Sequence, residues 1–108
     1  MGYVVVRYRV KEDRLEENRA LIEKVFEELH RARPQGLQYL AIELEHGEFV
    51  HMAGSPEGGP SPLPGFAAFK AFTSEHDERR STPVVRSPAK IVGNYRMLAG
   101  TEPEVRPA

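Results

Sequence analysis

Apolar and polar positions alternate at the start of the chain. From Tyr3 to Val10, Val4, Val6, Tyr8 and Val10 fall on one side, and Val5, Arg7 and Arg9 on the other. A two-residue period in a segment rich in β-branched and aromatic residues predicts a strand. The period then lengthens. Leu15, Ile22, Val25, Phe26 and Leu29 recur at helical spacing, while Glu16, Glu17, Glu23, Lys24, Glu27 and Glu28 take the opposite side. This predicts an amphipathic helix with one face on a core. Asp13, with Glu16 three residues later, is read as a capping box at its start. Arg31 and Arg33 complement the helix dipole at the other end, and Pro34 and Gly36 stop it.

Leu37 to Glu45 and Glu48 to Ala53 are predicted strands joined at His46-Gly47, where Gly47 supplies the positive φ of a tight hairpin. A two- or four-residue connection sets Leu44 opposite Phe49, Ile42 opposite His51 and Leu40 opposite Ala53, all on one face. Tyr39, Ala41, Glu43, Val50 and Met52 then share the other. A three-residue loop breaks this register, because one residue of slip exchanges the faces. Gly54 to Pro64 is Gly/Pro-rich and reads as a surface loop. A second helix is expected over Gly65 to Arg79, with Phe66, Phe69, Phe72 and Thr73 as its apolar stripe. A last strand is expected over Ala89 to Leu98.

The order strand, helix, strand, strand, helix, strand is the split βαβ, or ferredoxin-like, arrangement. It predicts an α+β fold in which both helices cover one face of a four-stranded antiparallel sheet. Residues 1–99 are expected to form this single domain, and 100–108 a flexible tail. The uncovered face would show Val5, Ala41, Val50 and Met52 beside Arg7, Glu43 and Tyr39. It is too apolar to face water freely, so a symmetric partner is expected to cover it, with Arg7 and Glu43 paired within or across subunits.

Composition narrows the function classes. The chain has 108 residues, enough for one domain. Its 15 basic and 16 acidic residues give a net charge of −1, which removes the basic field that nucleic acid requires. There is no cysteine, so disulfides, thiolate metal sites and cysteine nucleophiles are excluded. Met1 to Val10 is too short for a membrane span and is interrupted by Arg7 and Arg9. A cytoplasmic protein with no nucleic-acid or membrane partner is expected.

Several segments resemble the dimeric α/β-barrel superfamily, and within it the antibiotic biosynthesis monooxygenase-like family. They are Arg7-Tyr8-Arg9-Val10, Pro34-Gln35-Gly36-Leu37-Gln38-Tyr39, Phe49-Val50-His51-Met52, Phe66-Ala67-Ala68-Phe69 and Val92-Gly93-Asn94-Tyr95, placed at matching points of the element order from Tyr3 to Leu98. The resemblance implies a homodimer. It also implies cofactor-independent oxygenase chemistry, or a related reaction, on an aromatic or apolar small molecule. Active members commonly use a tryptophan and an asparagine. This chain has no tryptophan, and neither Asn18 nor Asn94 falls at a matching position.

His51 is the candidate catalytic residue. Mid-strand and facing the helices, it would be held neutral by burial and able to take a proton from a phenol or enol. The competing reading is a core histidine with no chemistry. Tyr8 and Tyr95 could orient a flat ligand in the same space, and Ile42, Phe66 and Phe69 line it. The other histidines, His30, His46 and His76, lie at no ligand spacing, so no metal site is expected. No phosphate-cradling glycine motif is present. A non-catalytic small-molecule-binding or stress-related dimer is the alternative function.

Overall fold

The computed structural model describes residues 2–56 and 61–98. The proposed tail over 100–108 and the centre of the Gly/Pro-rich loop lie outside these residues. Among the described residues the elements are β1 (Gly2–Arg9), α1 (Leu15–Ala32), β2 (Gln38–Glu43), β3 (Glu48–Ser55), α2 (Ala67–Thr73), α3 (His76–Arg79) and β4 (Val85–Ala89). The strands form one four-stranded antiparallel sheet in the order β2-β3-β1-β4. The helices lie on one face, as the ferredoxin-like order predicts. Tyr8, Val10, Ile22, Val25, Phe49, Leu63 and Phe72 make the buried core between them.

Helix α1 forms where its apolar stripe falls, with a different entry. Asp13 sits inside a 3-10 turn, Glu12–Arg14, and no side chain caps α1. The exit is a left-handed Arg33, φ 48°, whose N–H donates to the Leu29 carbonyl at 2.8 Å. The expected second helix is broken. Glu75 takes φ 58°, which separates α2 from the short α3. Glu28 on α1 accepts the Ala68 N–H at 2.8 Å and closes the start of α2.

The hairpin corrects the expected register. Its connection is the three-residue turn Glu45–Gly47, with His46 at φ 62° and Gly47 at φ 76°. A Cβ on Gly47 would stand 3.1 Å from both a Leu15 methyl and the Val10 carbonyl oxygen, so conformation and space both demand glycine. Tyr39 now opposes Ala53, Ala41 opposes His51 and Glu43 opposes Phe49. Tyr39 and Ala41 therefore join the helix-covered face, packed against the core. Leu40 and Ile42 move to the bare face, where Ile42 is 44% exposed. Ala41 and Glu43 thus leave the set assigned to the bare face, while Val5, Arg7, Val50 and Met52 keep their side of the sheet. Arg7 pairs with Glu48 at 3.0 Å, and Glu43 is held by Arg19 at 2.8 and 2.9 Å. The expected Arg7–Glu43 pair does not form.

The last strand is also displaced. It runs Val85–Ala89 at a sheet edge and contains Pro88, which an edge tolerates. Residues 91–98 are not strand. Asn94 Oδ1 instead accepts the N–H groups of Met97 and Leu98 in a local turn.

Candidate functional site

Between the sheet and the helices lies a cavity of about 450 Å³, within the range of small-molecule pockets. Its floor is the helix-facing row of the sheet: Val4, Val6 and Tyr8 from β1, Tyr39 from β2, His51 and Ala53 from β3 and Arg86 from β4. Phe69, Phe72 and Thr73 of α2, His76 of α3, and Leu63 and Pro64 form the opposite wall. Period-2 alternation places the floor residues, and helical spacing sets Phe69 and Phe72 above them.

Sequence reasoning placed His51, Tyr8 and Phe69 together, and the cavity contains all three. Three others lie elsewhere. Ile42 faces away because of the register. Phe66 precedes α2 and is not in the cavity wall. Tyr95 is 79% exposed, with the Arg96 guanidinium over its ring at 5.2 Å.

His51 is buried between two phenols. Tyr8 Oη lies 2.8 Å from Nε2, and Tyr39 Oη lies 2.7 Å from Nδ1. Asn18 Nδ2 donates to Tyr8 Oη at 3.1 Å, and Arg79 Nε donates to Asn18 Oδ1 at 3.1 Å. A single file of hydrogen bonds therefore runs Arg79, Asn18, Tyr8, His51, Tyr39. Asn18 and Arg79 are fully buried. Arg79 holds its place by donating to the Ser74 and Phe72 carbonyls at the end of α2 and by lying 5.5 Å over the Phe72 ring. The free carbonyls of a helix terminus are the natural acceptors for such a cation. Backbone bonds from Lys11 N–H to the Arg79 carbonyl and from Ser81 N–H to the Arg9 carbonyl pin α3 to β1.

Burial sets the charge states. It pushes His51 down to about 4, helped by the nearby His76, so the ring is neutral near pH 7. His76 falls to about 4 as well, through burial and the positive charges of Arg79 and Arg80, partly offset by Asp77. Its Nε2 is buried without a hydrogen-bond partner among the described residues, and its ring stands edge-on to Tyr8 at 4.5 Å. Burial raises Tyr8 to about 12 even though Asn18 and Arg79 favour its anion. Tyr39 is raised further. Among the described residues, no group of three or more His, Cys, Asp or Glu side chains is placed to hold a metal ion.

Asn18, Tyr39, His76 and Arg79 are the site residues that the sequence did not disclose. Asn18 carried one signal: it falls on the Leu15, Ile22, Val25 stripe, where a polar residue is out of place.

No family model matches the chain, and no curated protein matches it. Solved structures do. One named antibiotic biosynthesis monooxygenase superposes with TM-score 0.66 at 15% identity, covering 86% of this chain and 100% of its own. A Nitrosomonas europaea protein described as a candidate antibiotic biosynthesis monooxygenase gives TM-score 0.69 at 14% identity, covering 84% and 89%. A Mycobacterium tuberculosis protein gives TM-score 0.65 at 17% identity, covering 86% and 96%. The chain has the fold of antibiotic biosynthesis monooxygenase-like proteins. The resemblance first carried by short sequence segments is thus met in three dimensions across most of the domain. No helix among the described residues is long and apolar enough to cross a membrane.

Proposed function

We propose that this chain binds an aromatic or otherwise apolar small molecule in the helix–sheet cavity and exchanges a proton with it, as a cofactor-independent oxygenase or a related cytoplasmic enzyme. The observation that carries this reading is a neutral histidine between two tyrosines on the floor of a cavity walled by phenylalanines. Oxygen reacts with a carbanion more readily than with a neutral arene. An acidic CH₂ group that loses a proton can pass electrons to O₂ and form a C–O bond. The peroxide, once protonated to the hydroperoxide, loses its remaining C–H proton as the O–O bond breaks, leaving C=O and water. The balance is CH₂ plus O₂ giving C=O plus H₂O, with dioxygen as the only oxidant. The chain must accept the first proton and return one to the peroxide. His76 offers an unpartnered Nε2. Both nitrogens of His51 are engaged, so His51 serves through Tyr39 and Tyr8. Positioned acid–base groups contribute about 10²–10⁴-fold.

Oxygen uptake with a panel of aryl ketones that carry an acidic ring CH₂ tests this. Uptake is expected in the wild type and a fall of about 100-fold or more in His51→Ala. Equal rates in the two proteins would remove His51 from the mechanism. The second reading, a binding protein without catalysis, is favoured by the absence of tryptophan. Saturable ligand binding with no uptake by any panel member would select it.

The bare sheet face supports a second proposal, a homodimer. Leu40, Ile42 and Val85 are exposed there, and Val92, Tyr95 and Met97 are exposed just beyond β4. Apolar side chains left exposed in this number are costly in water. Light scattering of the wild type is expected to give twice the monomer mass at micromolar concentration, and Ile42→Glu the monomer mass. A monomeric wild type would exclude the assembly.

A further inference from the structure

We infer that Arg79 fixes the direction of the buried hydrogen-bond file, so that the Tyr39 hydroxyl is a donor aimed at the cavity, and that the site takes its ligand through an acceptor oxygen: a carbonyl, enolate or phenolate on an apolar aromatic frame. This rests on the proposal that the cavity is the binding site and adds which polar group of the ligand it recognises.

The direction follows from one end. A guanidinium has N–H groups and no acceptor. Arg79 Nε must therefore donate to Asn18, which assigns Oδ1 to Arg79 and Nδ2 to Tyr8. Tyr8 Oη then accepts from Asn18, and its own proton needs an acceptor. His51 Nε2 at 2.8 Å supplies one. In the opposite arrangement Nε2–H would donate to Tyr8. Each arrangement leaves one phenol proton without an acceptor among the described residues; here it would be that of Tyr8, 2% exposed, whereas Tyr39 is only partly buried. A buried donor left unpaired is what native proteins avoid. A neutral imidazole with a bare Nε2 carries its proton on Nδ1, so Nδ1–H donates to Tyr39 Oη at 2.7 Å. One proton is left over, that of Tyr39, a residue of the cavity floor. The file thus leaves its single unspent donor on the more exposed of the two phenols that line the cavity.

Chemical consequences follow. The resting site gives a hydrogen bond at Tyr39, and turning that proton onto His51 would require reversing both phenols and the imidazole tautomer. An oxyanion forming on the ligand meets a preorganised donor backed, through three residues, by a fixed positive charge. Asn18 and Arg79 touch no ligand and are positioning residues. Tyr39 makes the contact.

The test is Asn18→Asp, studied at pH 9 so that His51 stays neutral. A carboxylate accepts from Arg79 and Tyr8 together. Tyr8 then turns away from His51, Nε2 carries the ring proton, and Tyr39 donates to Nδ1. Long-range ¹H–¹⁵N spectra of the ring are expected to show Nδ1–H in the wild type and Nε2–H in the variant. Nε2–H in the wild type overturns the assignment, whatever the variant does. Binding of 1-tetralone against tetralin, which differ by one carbonyl, reads the ligand side. The ketone is expected to bind the wild type about tenfold more tightly, as one hydrogen bond allows. Tyr39→Phe is expected to abolish the difference between the two ligands. Equal affinities in the wild type overturn the donor role of Tyr39. If neither probe binds, the cavity is not the binding site and the choice of ligand fails with it, while the ring spectra still decide the direction of the file.

Discussion

Replacing Phe49 with alanine is expected to destabilise the protein by about 3–5 kcal/mol. Phe49 is 2% exposed and sits on β3, paired with Tyr8 on one side and Glu43 on the other. Its ring stacks on Tyr8 with centroids 5.7 Å apart and planes 12° from parallel. Truncation removes the transfer free energy of the ring and leaves a cavity that rigid paired strands cannot close. It also removes the surface that holds the Tyr8 phenol against His51, so ligand binding should weaken alongside stability. Urea unfolding at pH 7 measures the effect as a lower midpoint at unchanged slope. Lys24→Ala is the control: exposed on α1, it should change stability by less than about 0.5 kcal/mol. A loss below about 1 kcal/mol for Phe49→Ala would mean that the core is not centred on this pair.

The second large effect is a loss of stability on mild acidification. His51 titrates at about 4 in the folded protein and at its ordinary value of 6.5 when unfolded. Between these values the unfolded chain binds the proton and the folded chain does not. The stabilisation from a neutral His51 is therefore complete above pH 6.5 and is lost as pH falls towards 4. The whole shift corresponds to about 3 kcal/mol. His76 acts in the same window and direction, with a smaller share because it is less deeply buried. The groups around the two rings are Tyr8, Tyr39, Arg79, Arg80 and Asp77. Glu17 and Glu43, held low by Arg14 and Arg19, lose their share only as pH falls past the ordinary carboxylate value, at the acid end of this window and below it. Urea midpoints at pH 7 and pH 4.5 should fall steeply in the wild type and less in His51→Gln. Parallel curves for the two proteins would show that His51 carries no such linkage.

The first helix and the strand order were legible because their patterns permit one solution. The hairpin register was not. On β2 both faces are apolar, Leu40 and Ile42 on one and Tyr39 and Ala41 on the other, so alternation cannot say which side is buried. The deciding feature is the loop, where His46 joins Gly47 at positive φ, and a non-glycine residue gives little notice of that conformation. The same silence covers Glu75, whose left-handed backbone splits the second helix. It was Val92, Tyr95 and Met97 that gave residues 91–98 the look of a strand, yet they face solvent within one chain. His51 was found from sequence because alternation along its strand sets it mid-strand on the side that faces the helices. Arg79 was not, since an arginine in a charged run reads as surface. What buries it is a helix end that exists only once the chain has folded.

That arginine joins parts that are far apart in sequence. Its guanidinium ties Asn18 of α1 to the end of α2, and its own carbonyl is bonded to the chain leaving β1. Neither helix can lift from the sheet without breaking the same few bonds. Amide exchange in the last turn of α2, around Asn18 and at Lys11 should therefore share one opening free energy, close to that of global unfolding. A ligand would then reach the cavity past Leu63, Pro64 and the β4 edge, while the wall that carries the proton file stays shut.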